Sequence, residues 1–170
     1  IELVSAKPVT TAHGDFTLRT YTDSISNGIH YALVKGEIHE DEPCLVRVQT
    51  LNTLRDIIGT VRPGVKKTWS LAESMAHIAT EGKGVVVIVD QEPFPAEELE
   101  QIEWYPAVPP TQRVHTESGA YRVIGTGSQI LRDLGVGKMR VLSTPTRYNA
   151  LSGFSLEVVE FIENIDDTSN

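Results

Sequence analysis

The first fifty positions contain short runs of β-branched and aromatic residues, a pattern that predicts strands rather than helices. Three runs, at 15–22, 29–38 and 43–49, are separated by the turn signals Asn27-Gly28 and Asp41-Glu42-Pro43. Because short turns join neighbouring antiparallel strands, we predict an N-terminal antiparallel meander formed by these three runs.

The hydrophobic pattern then changes to a helical period. Ser70 and Glu73 have the spacing of a capping box, in which each side chain satisfies a free backbone amide at a helix start. Apolar residues recur every three or four positions through Glu81, and Gly82 is typical of a helix end. The apolar run Val85–Val89 that follows predicts a strand buried on both faces.

The remaining segments alternate between loops and regular elements. We predict a long loop over Leu51–Thr68, and a short helix from about Ala96 to Trp104 inside a proline-rich stretch. A further helix is predicted over Gly127–Leu134, and it leads into a strand at Met139–Leu142. The last predicted strand is Leu156–Ile162.

Strands that first precede and then alternate with helices predict an α+β (mixed α/β) fold, with helices packed on a mixed sheet. The chain has 170 residues, of which 40% are apolar, so it can bury one sizeable core. We therefore predict a single domain spanning 1–170. The lone cysteine, Cys44, lies in an apolar run and is interpreted as a buried core residue.

Charge and termini limit the classes of partner. A formal net charge of −8 argues against a nucleic-acid surface, which requires a basic face. We see neither a signal peptide nor an apolar segment long enough to cross a bilayer, so we expect a cytoplasmic protein without a membrane partner. The first residue is Ile rather than Met, and we expect the chain to be the C-terminal part of a longer one.

Motifs with catalytic or ligand-binding meaning are incomplete. Gly125-Thr126-Gly127 lacks the third glycine of a dinucleotide loop, so we interpret it as a sharp turn before a helix. The histidines are scattered without metal-ligand spacing and are interpreted as surface or satisfied core residues. Gln91 and Glu92 follow a buried strand, where a ligand crevice and a solvated loop are equally compatible with the sequence.

Several stretches, in the same order along the chain, resemble the GTP cyclohydrolase II family of riboflavin biosynthesis. The most specific are 125–136 and 139–142, which are similar to the family's "YGIGAQILRDLGV" and "MRLLT". The resemblance implies the family's α/β fold, a homodimer, and frequent fusion behind a 3,4-dihydroxy-2-butanone 4-phosphate synthase domain. Further matching stretches are Gly14-Asp15-Phe16, 32–38, 43–48, 71–85 and 151–160.

The resemblance also implies that the family's zinc ligands are missing. The family binds zinc through one cysteine and a later Cys-x-Cys pair, and these positions correspond here to Asn52, Val65 and Lys67. A zinc site of that kind needs thiolates, and Cys44 lies elsewhere in the sequence. We therefore expect no zinc and no other cofactor.

A few residues match the family's substrate-binding and catalytic positions. Arg47, Gln91 and Glu92 match substrate contacts, whereas Tyr105 and Arg122 match catalytic residues, so these five are remnants of the family's site. The flanking arginines and glycines of the triphosphate motif are replaced, for example by Asp90 and Phe94, the proton acceptor is replaced by Ala120, and the lysine of a later motif by Tyr148.

The pattern of loss predicts a catalytically silent domain with a structural, dimerising or regulatory role beside a fused synthase domain. Core and turn residues persist while the metal, base and phosphate ligands are missing together. Two alternatives stay open: a nucleotide hydrolase that works without zinc, and a nucleotide-sensing site that binds weakly without turnover.

Overall fold

The computed structural model describes residues 1–64, 67–91, 95–109, 112–145 and 151–164, without the side chains of 112–121 and 151–152. No helix within these ranges is long and apolar enough to cross a membrane. The strands are β1 (Glu2–Thr11), β2 (Gly14–Thr22), β3 (Ile29–Lys35), β4 (Cys44–Gln49), β5 (Gly84–Ile88), β6 (Lys138–Leu142) and β7 (Glu157–Ile162). The helices are α1 (Leu71–Glu81), α2 (Pro95–Trp104) and α3 (Gln112–Asp133), together with a π-helical turn at Thr53–Ile58 and a 3₁₀ turn at Leu151–Phe154.

The strands form one mixed sheet of seven, in the order β1-β2-β3-β5-β4-β6-β7. The meander exists, but it consists of β1, β2 and β3, so the prediction that 43–49 is its third strand is wrong. Strand β4 instead lies between β5 and β6 and runs parallel to both. Pairing between distant segments decided this placement, and local turn signals carry no information about it.

Each face of the sheet carries its own core cluster. Alternate residues of β4 point to opposite faces: Val46 packs with Ile130 of α3, whereas Leu45 packs with Ile78 of α1. The two helices therefore cover opposite faces of the same strands. Cys44 is buried on the α3 face, as predicted.

Local signals located α1, and the capping box of Ser70 and Glu73 is present as predicted. Helix α3 begins far earlier than Gly127, and the predicted sharp turn at Gly125-Thr126-Gly127 is wrong because these residues lie within the helix. The sequence prediction also missed β1, whose residues are mostly exposed on both faces and so lack an apolar period.

Candidate functional site

The parallel strands β5, β4, β6 and β7 all end at one edge of the sheet. The chain leaves β4 towards β5 on one side and leaves β6 towards β7 on the other. The connections therefore diverge between the ends of β4 and β6, and in open α/β sheets ligands bind at such a switch point. We treat this edge as the candidate site.

Arg47 lies at this switch point and uses its guanidinium within the fold. Nη1 donates to the carbonyl oxygen of Leu142 over 3.1 Å, and Nη2 donates to that of Trp69 over 2.8 Å. Nε donates to Gln49 Oε1 over 3.1 Å. The side chain therefore joins β4 to the end of β6 and to Trp69, two residues before α1.

Asp56 is the centre of a second network at this edge. Its side chain is 1% exposed and pairs with Arg55, with Nη2 and Oδ2 separated by 2.8 Å. The backbone amides of Asn52 and Leu71 donate to it over 2.9 and 2.8 Å, and Gln49 Nε2 donates over 3.2 Å. One buried carboxylate thus joins the π-helical turn to β4 and to the start of α1.

The pKa of Asp56 reflects this environment. Burial raises the pKa, but the hydrogen bonds from Arg55, Leu71 and Asn52 outweigh burial, so the pKa lies below the ordinary value of 3.8. Asp56 is therefore a charged, fully engaged structural group. Sequence analysis missed it, although an Asn followed four residues later by an acid is a helix-start signal that could have indicated it.

The resemblance matches three positions to the family's zinc ligands, and the structure describes two of them, Asn52 and Lys67. Asn52 caps the π-helical turn, because its Oδ1 accepts from the amide of Arg55 over 2.9 Å. Lys67 brings an ammonium group, which lies 3.0 Å from the Glu73 carboxylate. Val65 lies outside the described residues. In the part of the chain that the structure describes, no three His, Cys, Asp or Glu side chains converge as metal ligands.

The segment after β5 is anchored by a buried histidine. His30 is 2% exposed, and its Nδ1 accepts from the amide of Asp90 over 2.9 Å. The resemblance matches Asp90 to an arginine of the family's triphosphate motif. Its carboxylate accepts from the amide of Ile29 over 3.4 Å. Gln91 follows and is half-buried, whereas Glu92 lies outside the described residues.

The two residues that match catalytic positions lie on different elements. Tyr105 directly follows α2, and its hydroxyl donates to the carbonyl oxygen of Val61. Arg122 lies on α3 and is exposed. Helix α3 packs on the face of the sheet opposite to that of Arg47, so the two arginines belong to elements on different faces.

A small cavity lies between α3 and the sheet. Its volume is about 60 Å³, and Ser128 supplies the one hydroxyl among its lining side chains. The lining offers no cation that could bind phosphate. The other lining residues are Val46, Val48, Val123, Ile124, Leu131, Met139 and Val141.

Fold and site define a mixed α/β domain whose switch point is occupied by its own side chains. The model of the GTP cyclohydrolase II family matches residues 2–163, so the chain belongs to this family. The resemblance noted in the sequence is thereby confirmed at the level of the family.

Individual relatives are named as a 3,4-dihydroxy-2-butanone 4-phosphate synthase or as a riboflavin biosynthesis protein. A 3,4-dihydroxy-2-butanone 4-phosphate synthase of Pseudomonas aeruginosa is 40% identical over 163 residues, which are 95% of this chain and 43% of that protein. The riboflavin biosynthesis protein RibBA of Cytophaga hutchinsonii is 34% identical over 156 residues. The aligned region covers 88% of this chain and 38% of that protein. The chain thus spans less than half of the curated relatives that it matches.

A solved structure shares the fold. The crystal structure of RibBX from A. baumannii, a two-domain 3,4-dihydroxy-2-butanone 4-phosphate synthase, matches with a TM-score of 0.67 and 33% identity. The match covers 96% of this chain and 40% of that one. The predicted mixed α/β fold of the family is therefore confirmed.

Proposed function

We propose that this chain is a GTP cyclohydrolase II-like domain that has lost hydrolysis of GTP and acts beside a 3,4-dihydroxy-2-butanone 4-phosphate synthase domain. Its role is structural, dimerising or regulatory. The proposal rests on what the side chains at the matched zinc positions contact. Asn52 caps a turn, and Lys67 pairs with Glu73. Neither side chain supplies the thiolate that a zinc site of the family needs.

The use of Arg47 supports the same proposal. A phosphate-binding arginine presents its planar fork to the ligand. Here Nη1 and Nη2 both donate to backbone carbonyls, those of Leu142 and Trp69. Binding of a triphosphate at this point would require the protein to break contacts that connect its own strands.

The names and lengths of the relatives support the proposal that this domain acts beside a synthase domain. Relatives named as the synthase contain this domain in 43% of their length, and the two-domain synthase structure contains it in 40%. Residues that hold the family fold persist in this chain, whereas the zinc ligands, the proton acceptor and the flanking residues of the triphosphate motif are replaced. Such a difference is expected where a domain is retained for its shape and contacts.

Zinc analysis combined with nucleotide calorimetry tests the proposal. We expect the purified protein, dialysed after exposure to zinc, to retain far less than one zinc per chain. We also expect no heat of binding with GTP. Stoichiometric zinc would contradict the proposal, whereas GTP binding without zinc would favour a nucleotide-sensing role over a purely structural one.

We further propose that the domain forms a homodimer, as the family does. Light scattering at micromolar concentration tests this part separately. A mass of two chains is expected, and a mass of one chain would leave contact with the synthase domain as the remaining structural role.

A further inference from the structure

Helix α2 leaves two aliphatic side chains exposed in the part of the chain that the structure describes. Leu99 and Ile102 are 67% and 52% exposed and lie within one turn of each other. Gln101 projects from the other side, because residues two apart differ by about 200° around a helix. It is half-buried, and its Oε1 accepts from Arg62 over 3.2 Å. The helix has no buried residue, the reverse of an ordinary amphipathic surface helix.

Two glutamates border this apolar stripe. Glu98 lies on one side of Leu99 and Ile102, and Glu103 lies on the other, by the same helical spacing. Both glutamates are exposed, and α2 contains four glutamates without any lysine or arginine. We call Glu98, Leu99, Ile102 and Glu103 the α2 surface.

Helix α2 contacts the neighbouring loop through Gln101 and through Tyr105 at its end. Val61 is 59% exposed, and its carbonyl oxygen accepts from Tyr105 at the end of α2. The guanidinium of Arg62 lies 6.0 Å from the centre of the Tyr105 ring. These contacts join the loop to α2 and leave the α2 surface exposed.

Such an arrangement needs a covering partner. A helix of ten residues is marginal in water unless an apolar face packs on something, because nucleation costs more than a few hydrogen bonds return. Exposed aliphatic side chains rimmed by polar ones mark contact sites in soluble proteins. The shape is that of an amphipathic helix that docks in a groove.

Charge decides which partner fits. A second copy that used the same surface would bring Glu98 and Glu103 against identical carboxylates, since a two-fold contact pairs a patch with itself. A chain of net charge −8 also favours basic partners over itself. The occupant therefore has an apolar groove with lysine or arginine at its border.

We propose that the α2 surface docks on the synthase domain of the two-domain protein, in an apolar groove bordered by basic residues. This inference rests on the proposed function, because that proposal places a synthase domain beside this one. More than half of the length of the relatives lies outside the matched region, which is enough chain to supply such a groove.

Hydrogen exchange on the two-domain protein tests the docking. The variant Leu99→Ser/Ile102→Ser removes the apolar stripe from side chains that this domain leaves exposed. We expect amides of α2 to exchange at least about tenfold faster in that variant, the minimum for losing one buried aliphatic side chain. The control Ile25→Ser changes a side chain that is 95% exposed in the β2–β3 turn and should leave α2 unchanged.

A second variant tests the basic border without removing apolar area. Glu98→Lys/Glu103→Lys should also accelerate exchange of α2, and its effect should shrink at high salt. Equal exchange of α2 in the wild type and in both variants would overturn the docking. Slowing of α2 exchange as protein concentration rises would also overturn it, because the partner would then be a second copy.

The same samples separate this inference from the proposed function. Release of product from GTP would contradict the proposed loss of GTP hydrolysis. The hydrogen-exchange result would still test the docking in that case. Absence of turnover together with unchanged exchange in the variants would overturn the docking alone.

Discussion

Arg47 Nη1 and the carbonyl oxygen of Leu142, 3.1 Å apart, connect β4 and β6 at the end where a ligand would otherwise lie. The backbone pairing of these strands extends no further than Val46 and Val141. The guanidinium therefore continues the strand contact beyond the backbone ladder.

Arg47→Lys should destabilise the fold even without a nucleotide. Lysine cannot reach Leu142 and Trp69 with two planar donors, and each lost hydrogen bond contributes about 0.5–1.5 kcal/mol. Urea unfolding should therefore show a loss of roughly 1–3 kcal/mol. The matched control is Arg122→Lys, an exposed arginine on α3, which should change the free energy of unfolding by less than about 0.5 kcal/mol. Similar losses for both variants would contradict the structural role of Arg47.

Asp56→Asn should cost more, because it removes the charge from a buried carboxylate that Arg55 and two backbone amides contact. Breaking one side of a buried ion pair typically costs about 3–5 kcal/mol. Thermal unfolding with Glu37→Gln as control measures this, since the Glu37 side chain is 85% exposed. An unfolding free energy within about 0.5 kcal/mol of the wild type would show that the network does not hold the turn.

The effect of Asp56 should depend on pH. Its pKa is below the ordinary 3.8, so its charge stabilises the fold above that pH, and this contribution is lost as pH falls through the lower folded-state pKa. The difference in unfolding free energy between the wild type and Asp56→Asn should be largest at about pH 7. It should begin to decrease below about pH 4. A difference that stays constant down to pH 3 would contradict the lowered pKa.

Local sequence signals predicted those elements that are determined by interactions between neighbouring residues. The capping box of Ser70 and Glu73 and the stop at Gly82 acted through neighbouring residues, so α1 was predicted within a residue or two. The position of β4 depended on pairing with β5 and β6, to which the chain returns after 34 and 88 residues. No turn signal near 43–49 could encode that choice.

The candidate site shows the same difference between features that the local sequence indicates and features that depend on long-range contacts. The sequence predicts which family positions have changed, because Asn52 and Lys67 can be compared with cysteines directly. It did not reveal that Asp56 and Trp69 had become partners of Gln49 and Arg47, since these contacts depend on the arrangement of strand ends. The glycines of α3 were misjudged because glycine usually interrupts a helix.

Those glycines give a paired prediction. A methyl group at Gly127 would lie 2.6 Å from Val48 Cγ1, whereas one at Gly125 would meet nothing within 4 Å. Gly125→Ala should stabilise the protein by roughly 0.5–1 kcal/mol through helix propensity. Gly127→Ala should destabilise it, because overpacking costs roughly 1–3 kcal/mol and exceeds that gain. Urea unfolding compares the two, and stabilisation by both would show that α3 does not approach β4 so closely.

Cys44 should be unreactive in the folded protein. Burial raises the pKa of its thiol to about 11, and the residue is 1% exposed. Because the thiolate is the reactive form, iodoacetamide should label Cys44 slowly at pH 7.5 and rapidly in denaturant. Cys44 is the one cysteine of the chain, so Cys44→Ala provides the blank. Equal labelling with and without denaturant would contradict its burial.

Turnover of GTP tests catalytic silence most directly. The purified protein, with and without added zinc, is incubated with GTP, and release of the diaminopyrimidine product is followed against a heat-denatured sample. We expect product no higher than in that control under either condition, because Asn52 and Lys67 match the zinc positions and Ala120 matches the proton acceptor. Zinc-dependent product above the control would contradict this expectation.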